Sequence, residues 1–240
     1  MAHEKHQRDD GRDRACVNIC RLTTKFSPGI WILLRQPLSS AEMPTRLADY
    51  YLELQRREGL EPTELVAPWE EAVCDAISEA FRAAMAAAAI TAQDIPLRAG
   101  SSNQSIGNQV ADYFVPTINR NLQRFYIDAC SGGGYPDKIL REIAAGRIFP
   151  FELKATSIWD ISDSNRRVLT SSSRKLRLRF RGAANHILAT LHYVTQAGRS
   201  RVRSLRLDFI DPDTLVNIRL EASVSHRSLG AATHRTVTIE

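Results

Sequence analysis

"DKILREIAAGRIFPFELKATS", residues 137–157, decides how this chain is to be read. Two stretches of strand-forming residues flank Ala144-Ala145-Gly146-Arg147, a tight-turn sequence. Centring the turn between Ala145 and Gly146 makes antiparallel partners sum to 291 (145 + 146). Asp137 then faces Lys154, and Glu152 faces Ile139. Side chains two apart on a strand share a face, and so do directly opposed ones. Asp137, Glu152 and Lys154 are therefore expected on one side of a strand pair. The run Ile148-Phe149-Pro150-Phe151 makes the second strand apolar and buried in character, where an unpaired charge is costly.

Such a grouping has a chemical use. Two neighbouring carboxylates repel, and a divalent cation between them removes the repulsion. Oxygen-only donors suit Mg²⁺, which prefers few protein carboxylates with water and phosphate completing its shell. A lysine on the same face can orient the attacking water or neutralise charge in the transition state. The sum is a site for hydrolysing a phosphodiester.

Tyr135-Pro136-Asp137 followed, after fourteen residues, by Glu152-Leu153-Lys154 resembles the PD-(D/E)xK nuclease signature, best known from type II restriction endonucleases. The spacing and the preceding tyrosine are similar to those of the EcoRV-like branch. The resemblance implies a restriction-endonuclease-like α/β fold, with a mixed central β-sheet flanked by helices and the carboxylates on a strand pair. It implies a Mg²⁺-dependent endodeoxyribonuclease of a restriction system, acting on double-stranded DNA as a homodimer, with Asp137 and Glu152 as metal ligands and Lys154 as the catalytic lysine. Two sites related by a twofold axis would cut both strands of a palindrome, leaving 5′-phosphate and 3′-hydroxyl ends. Many members carry another acid on a helix before the motif. Here the helix expected from Ser105 offers Gln109 and Asp112 instead. Gln109 lies nearer the apolar stripe of Ile106, Val110, Phe114 and Ile118, and its amide could hold a metal-bound water. After the motif, Thr156, Ser157 and Asp160 are further polar candidates facing substrate.

Residues 165–206 contain no aspartate or glutamate. Their basic residues are Arg166, Arg167, Arg174, Lys175, Arg177, Arg179, Arg181, Arg199, Arg201, Arg203 and Arg206. Arginine suits bidentate contact with phosphate or guanine. Asn165, Arg166 and Arg167 are expected to read bases, and Arg174, Lys175 and Arg177 to contact phosphates. Neutralising about six phosphates would give a log–log salt slope near −5.

The rest of the chain sets limits. It has 240 residues, a formal net charge of +5 and 43% hydrophobic residues, enough for a substantial core. Residues 1–25 are expected to be disordered or extended, and 26–240 to form one nuclease domain. Within it, 26–100 would be a mainly helical N-terminal layer and 101–240 the catalytic core. "IWILL", residues 30–34, reads as a strand, and two helices are expected within 42–90. Pro116 should kink or divide the helix that contains it. "ANHILATLHYV", 184–194, reads as an amphipathic helix, "VNIRLEASV", 216–224, as one half-buried strand, and "SLRLDFI", 204–210, as another. Cys16, Cys20, Cys74 and Cys130 lack zinc-site spacing and are expected as free thiols. Neither a signal-peptide core nor a membrane-length apolar run is seen, so a cytoplasmic location is expected. His186 and His192 read as core or surface histidines. Gly132-Gly133-Gly134 lacks the Lys-Ser/Thr of a P-loop and reads as a flexible turn. Two other readings compete: a repair, mobile-element or toxin nuclease with the same core, and a non-catalytic DNA-binding protein.

Overall fold

The computed structural model describes residues 44–132, 134–158, 168–169, 173–218, 222–224 and 234–240. Glu42–Glu240 forms one unit. "IWILL", Cys16 and Cys20 lie outside the described residues.

The frame is a seven-stranded mixed sheet flanked by helices, so the expected α/β class is what the chain adopts. Its path runs β11 (Arg235–Ile239), β8 (Arg199–Ile210), β7 (His186–Gln196), β5 (Ile148–Thr156), β4 (Lys138–Glu142) and β3 (Phe125–Ala129), with β2 (Ile95–Pro96) pairing β8 off that path. Only β5 and β7 run parallel among these pairs. A smaller antiparallel sheet has the order β1 (Pro44–Arg46), β9 (Leu215–Ile218), β10 (Ala222–Val224), β6 (Val168–Leu169).

The two faces of the large sheet differ. On one, Phe149, Phe151, Leu153, Ile187, Ala189, Leu191, Leu205, Leu207 and Phe209 pack against α2 (Glu71–Ala87) and α3 (Asn103–Asn119). Phe151 and Phe81 stack there with centroids 5.9 Å apart. Truncating such a fully buried aromatic costs about 3–5 kcal/mol. The opposite face carries Glu152, Leu188 and Asp208 in one cross-strand row. Leu188 joins a second apolar cluster with Leu47 and Tyr51 of α1 (Leu47–Arg57), Leu176 of α4 (Arg174–Arg179) and Phe180.

Four expectations need correction. The register between β4 and β5 pairs Lys138 with Phe151 and Arg141 with Ile148, a sum of 289 rather than 291 (138 + 151). Gly146, at φ 67°, closes the loop instead of sitting at its centre, which moves the turn one residue towards the N-terminus. A shift of two in the sum preserves side-chain parity.

"ANHILATLHYV" is not a helix but lies mostly in strand β7. Ile187, Leu188, Ala189 and Leu191 are buried on both faces of a central strand. The resulting run of apolar residues imitates a helical stripe.

"VNIRLEASV" is not one strand. β9 and β10 pair antiparallel, Ala222 opposite Ile218, so the chain reverses between them. Finally, α3 runs through Pro116 as one helix. Proline therefore does not divide the helix, though it removes the donor for the Asp112 carbonyl.

Candidate active site

The register of β4 and β5, continued by one residue, sets Asp137 opposite Glu152. The Asp137 backbone N–H donates to Glu152 Oε2 at 2.9 Å, and Lys154 Nζ lies 2.6 Å from Glu152 Oε1. All three motif residues thus meet at Glu152. Their setting is graded: the Glu152 side chain is 4% exposed, that of Lys154 24%, and Asp137 is exposed at the rim. Burial alone would penalise the Glu152 charge. An ammonium and a backbone N–H, one on each oxygen, offset it with charge-assisted hydrogen bonds. The Asp137 carboxylate has no hydrogen bond or ion pair among the described residues.

The donor set can be tested for a metal. Directly opposed residues on antiparallel strands have Cα atoms about 4.5–5.5 Å apart, within reach of one small ion for two carboxylates. Each Glu152 oxygen keeps a lone pair beyond the donor it already accepts. Two hard oxygen donors beside open solvent fit Mg²⁺ with water completing its shell. Among the described residues no three of His, Cys, Asp and Glu gather into a richer cluster, so the pair is the candidate.

Beneath the pair lies a buried aromatic cluster that sequence reading did not single out. Tyr135 Oη and His186 Nδ1 are 2.8 Å apart, and His186 Nε2 is 3.0 Å from the Leu65 carbonyl. A carbonyl only accepts, so Nε2 carries the proton and Nδ1 accepts from Tyr135. Burial lowers the His186 pKa to about 4, so the ring is neutral. Burial, then Tyr51 and the Glu152 charge, pushes the Tyr135 hydroxyl well above its usual range. Tyr51 is shifted the same way, chiefly by burial, and its hydroxyl has no hydrogen-bond partner among the described residues. His186 is thus a core histidine. The tyrosine before the Pro-Asp pair was the available sequence signal for this cluster.

Gln109 goes elsewhere. Its Oε1 accepts from the Arg98 N–H at 2.9 Å, and its Nε2 donates to Ser101 Oγ at 2.9 Å and the Ser105 carbonyl at 3.1 Å. It ties the loop before α3 to that helix. The residue that meets β5 is Gly107, where an added Cβ would lie 3.4 Å from the Ala155 carbonyl. Gln109 is two residues on, about 200° around the helix. Asp112 is exposed. Thr156 Oγ1 donates to the Ile158 carbonyl at 2.7 Å, closing a turn at the end of β5, and Ser157 is exposed.

The basic block divides. Asn165, Arg166, Arg167 and Asp160 lie outside the described residues. Arg177 donates to Gln55 Oε1 at 2.6 Å and to the Glu61 carbonyl, and Arg174 to the Glu58 carbonyl at 3.2 Å, so both fasten α4 to the segment after α1. Lys175 is buried, its ammonium on three backbone carbonyls. Arg199 and Arg201 pair with Asp94, and Arg206 with Asp208. Arg181 and Arg203 are exposed, without hydrogen bond or ion pair among the described residues. Cys74 and Cys130 are free thiols, and burial pushes Cys74 to about 12. Among the described residues no helix is long and apolar enough to cross a membrane.

No family model matches the chain, and no curated protein matches it. Among solved structures it is similar to the restriction endonuclease BglI bound to its DNA recognition sequence, at 12% identity over 71% of this chain and 86% of that one, with a TM-score of 0.35. A likeness of that size carries no weight beside the geometry of the site.

Proposed function

We propose that the chain is a Mg²⁺-dependent endonuclease of the PD-(D/E)xK type that cuts double-stranded DNA at a specific short sequence as a homodimer. One observation carries this reading: a buried glutamate bridges a lysine ammonium and the backbone of an exposed, unpartnered aspartate at the rim of a mixed sheet. A purely structural glutamate needs no free carboxylate opposite it.

Asp137 and Glu152 would hold the ion, which when bound polarises a phosphoryl oxygen and lowers the pKa of water. Lys154 does the chain's own part. Its ammonium, fixed by Glu152, presents its remaining donors to solvent, where they can orient an attacking water or neutralise charge growing on the phosphate. The buried floor of Tyr51, Tyr135 and His186 keeps water from reaching Glu152 from behind. Asn165, Arg166 and Arg167 remain the candidates for base reading. Of the phosphate candidates Arg174, Lys175 and Arg177, Arg174 keeps an exposed position while Lys175 and Arg177 are engaged within the fold; elsewhere in the basic block, Arg181 and Arg203 have guanidinium groups without a partner among the described residues.

Incubation with unmethylated phage DNA and Mg²⁺, followed by sequencing of fragment ends, tests the proposal. Discrete fragments sharing one short sequence at their ends are expected. A smear with unrelated ends would favour a nonspecific nuclease of the same core, and intact DNA with every divalent cation tried would remove the enzymatic reading.

A further inference from the structure

We infer that Lys175 is a positioning residue: its ammonium is a built-in cation that holds the backbone of Gly132, Gly134 and Pro136, and through it Asp137, in the metal-binding position. This rests on the proposed role of Asp137.

Lys175 lies in the arginine-rich block yet is only 8% exposed. Its Nζ donates to the Gly132 carbonyl at 2.8 Å, the Gly134 carbonyl at 2.7 Å and the Pro136 carbonyl. An ammonium has three donors and no acceptor, so three carbonyls exhaust it. Nothing remains for a phosphate. The acceptors come from alternate residues of one loop and converge on one point. Gly132 at φ 102° and Gly134 at φ 80° adopt backbone conformations that side chains disfavour, and these turn their carbonyls inward. Without a cation the three oxygens would face one another, and the buried Pro136 carbonyl would be left unsatisfied.

The consequence falls on Asp137. The carbonyl of the preceding Pro136 is held by Lys175, the Asp137 N–H by Glu152 and the Asp137 carbonyl by the Cys130 N–H at 2.9 Å. Backbone on both sides of its Cα is thereby fixed, leaving only its side chain free. Every other basic residue between 166 and 206 is arginine. Lysine stands at the one place where a compact charge must fit among three oxygens, a position a planar guanidinium does not suit.

Two measurements test this. In the first, the wild-type protein is acylated with and without DNA and its five lysines (Lys5, Lys25, Lys138, Lys154, Lys175) are read by mass spectrometry. Lys175 should resist modification in free protein, while partly exposed Lys138 reacts. Ready modification that DNA suppresses would make Lys175 a phosphate contact and overturn the inference.

In the second, Lys175→Met keeps the apolar stem. It should raise the Mg²⁺ concentration needed for half-maximal cleavage at least tenfold, the range for groups supporting metal ligands. Metal-free DNA affinity should change less than threefold, its salt slope should be unchanged, and ethylamine should restore part of the activity. A Mg²⁺ requirement within twofold of wild type, or a salt slope reduced by about one, would overturn it. If Lys175→Met does not fold, the acylation result decides. Wild-type protein that cuts nothing defeats the nuclease reading; wild-type and Lys175→Met proteins cutting alike at the same Mg²⁺ defeat only this one.

Discussion

Two buried glutamates lie at opposite ends of the β4–β5 strand pair, and their surroundings differ in one respect. Glu142, 3% exposed at the turn, meets Arg124 Nη2 at 2.8 Å and Arg147 Nε at 2.6 Å. Its charge is matched by two guanidinium groups, and the Arg147 hydrogen bond, more than burial opposes, holds its carboxyl below the usual range. Glu152, equally buried at the open end, meets one ammonium and one backbone N–H, with a bare carboxylate opposite. The first site is electrostatically closed. The second has a surplus of negative charge facing solvent, which is what a cation requires. On the proposed reading, burial does not separate a structural acid from a catalytic one; the balance of its partners does.

Substitutions at the two positions should separate function from stability. Glu152→Ala and Lys154→Ala should each lower cleavage by at least about a thousandfold, the scale for losing a transition-state electrostatic contact, with DNA affinity largely kept. Glu142→Gln should leave cleavage at saturating Mg²⁺ within a fewfold and lower stability by about 2 kcal/mol, read as a shifted urea midpoint. Cleavage lost at Glu142 and retained at Glu152 would invert the comparison.

Acid sharpens it further, because the groups beneath the two ends titrate in different windows. His186 is held neutral, its folded value near 4 against about 6.5 unfolded. The unfolded chain binds the proton first, so stability present above pH 6.5 is lost progressively down to about pH 4, by roughly 3 kcal/mol in all. Glu142 contributes in a lower window: its stabilisation is complete above its unfolded value and fades as pH falls through its depressed folded value. Melting temperature against pH should therefore decline already between 6.5 and 4.5, and His186→Gln should flatten that limb. A decline starting only below 4.5 in the wild-type protein would contradict the buried tautomer.

The sequence disclosed the motif residues and their common face because both rest on period-two alternation, which a register error of two leaves intact. It misread β7, since a central strand covered on both sides loses the alternation that marks strands at the surface. It could not say where arginine charge goes. Arg174, Arg177 and Lys175 belong to one basic run, and only tertiary contact shows that the Gln55 side chain and the carbonyls of residues 58, 61, 132, 134 and 136 receive them. The place of Gln109 was hidden for a related reason: its face of α3 follows from the contact of Gly107 with β5, which no single-helix pattern reveals.

The central claim is that Asp137 and Glu152 share one ion. A crystal structure of the protein grown with Mn²⁺, read by anomalous scattering, tests it most directly. The expected result is one peak within about 2.0–2.3 Å of an oxygen of each carboxylate, with Lys154 still beside Glu152. Full-occupancy Mn²⁺ bound elsewhere, or an Asp137 carboxylate turned away from an ion held by Glu152 alone, would contradict it.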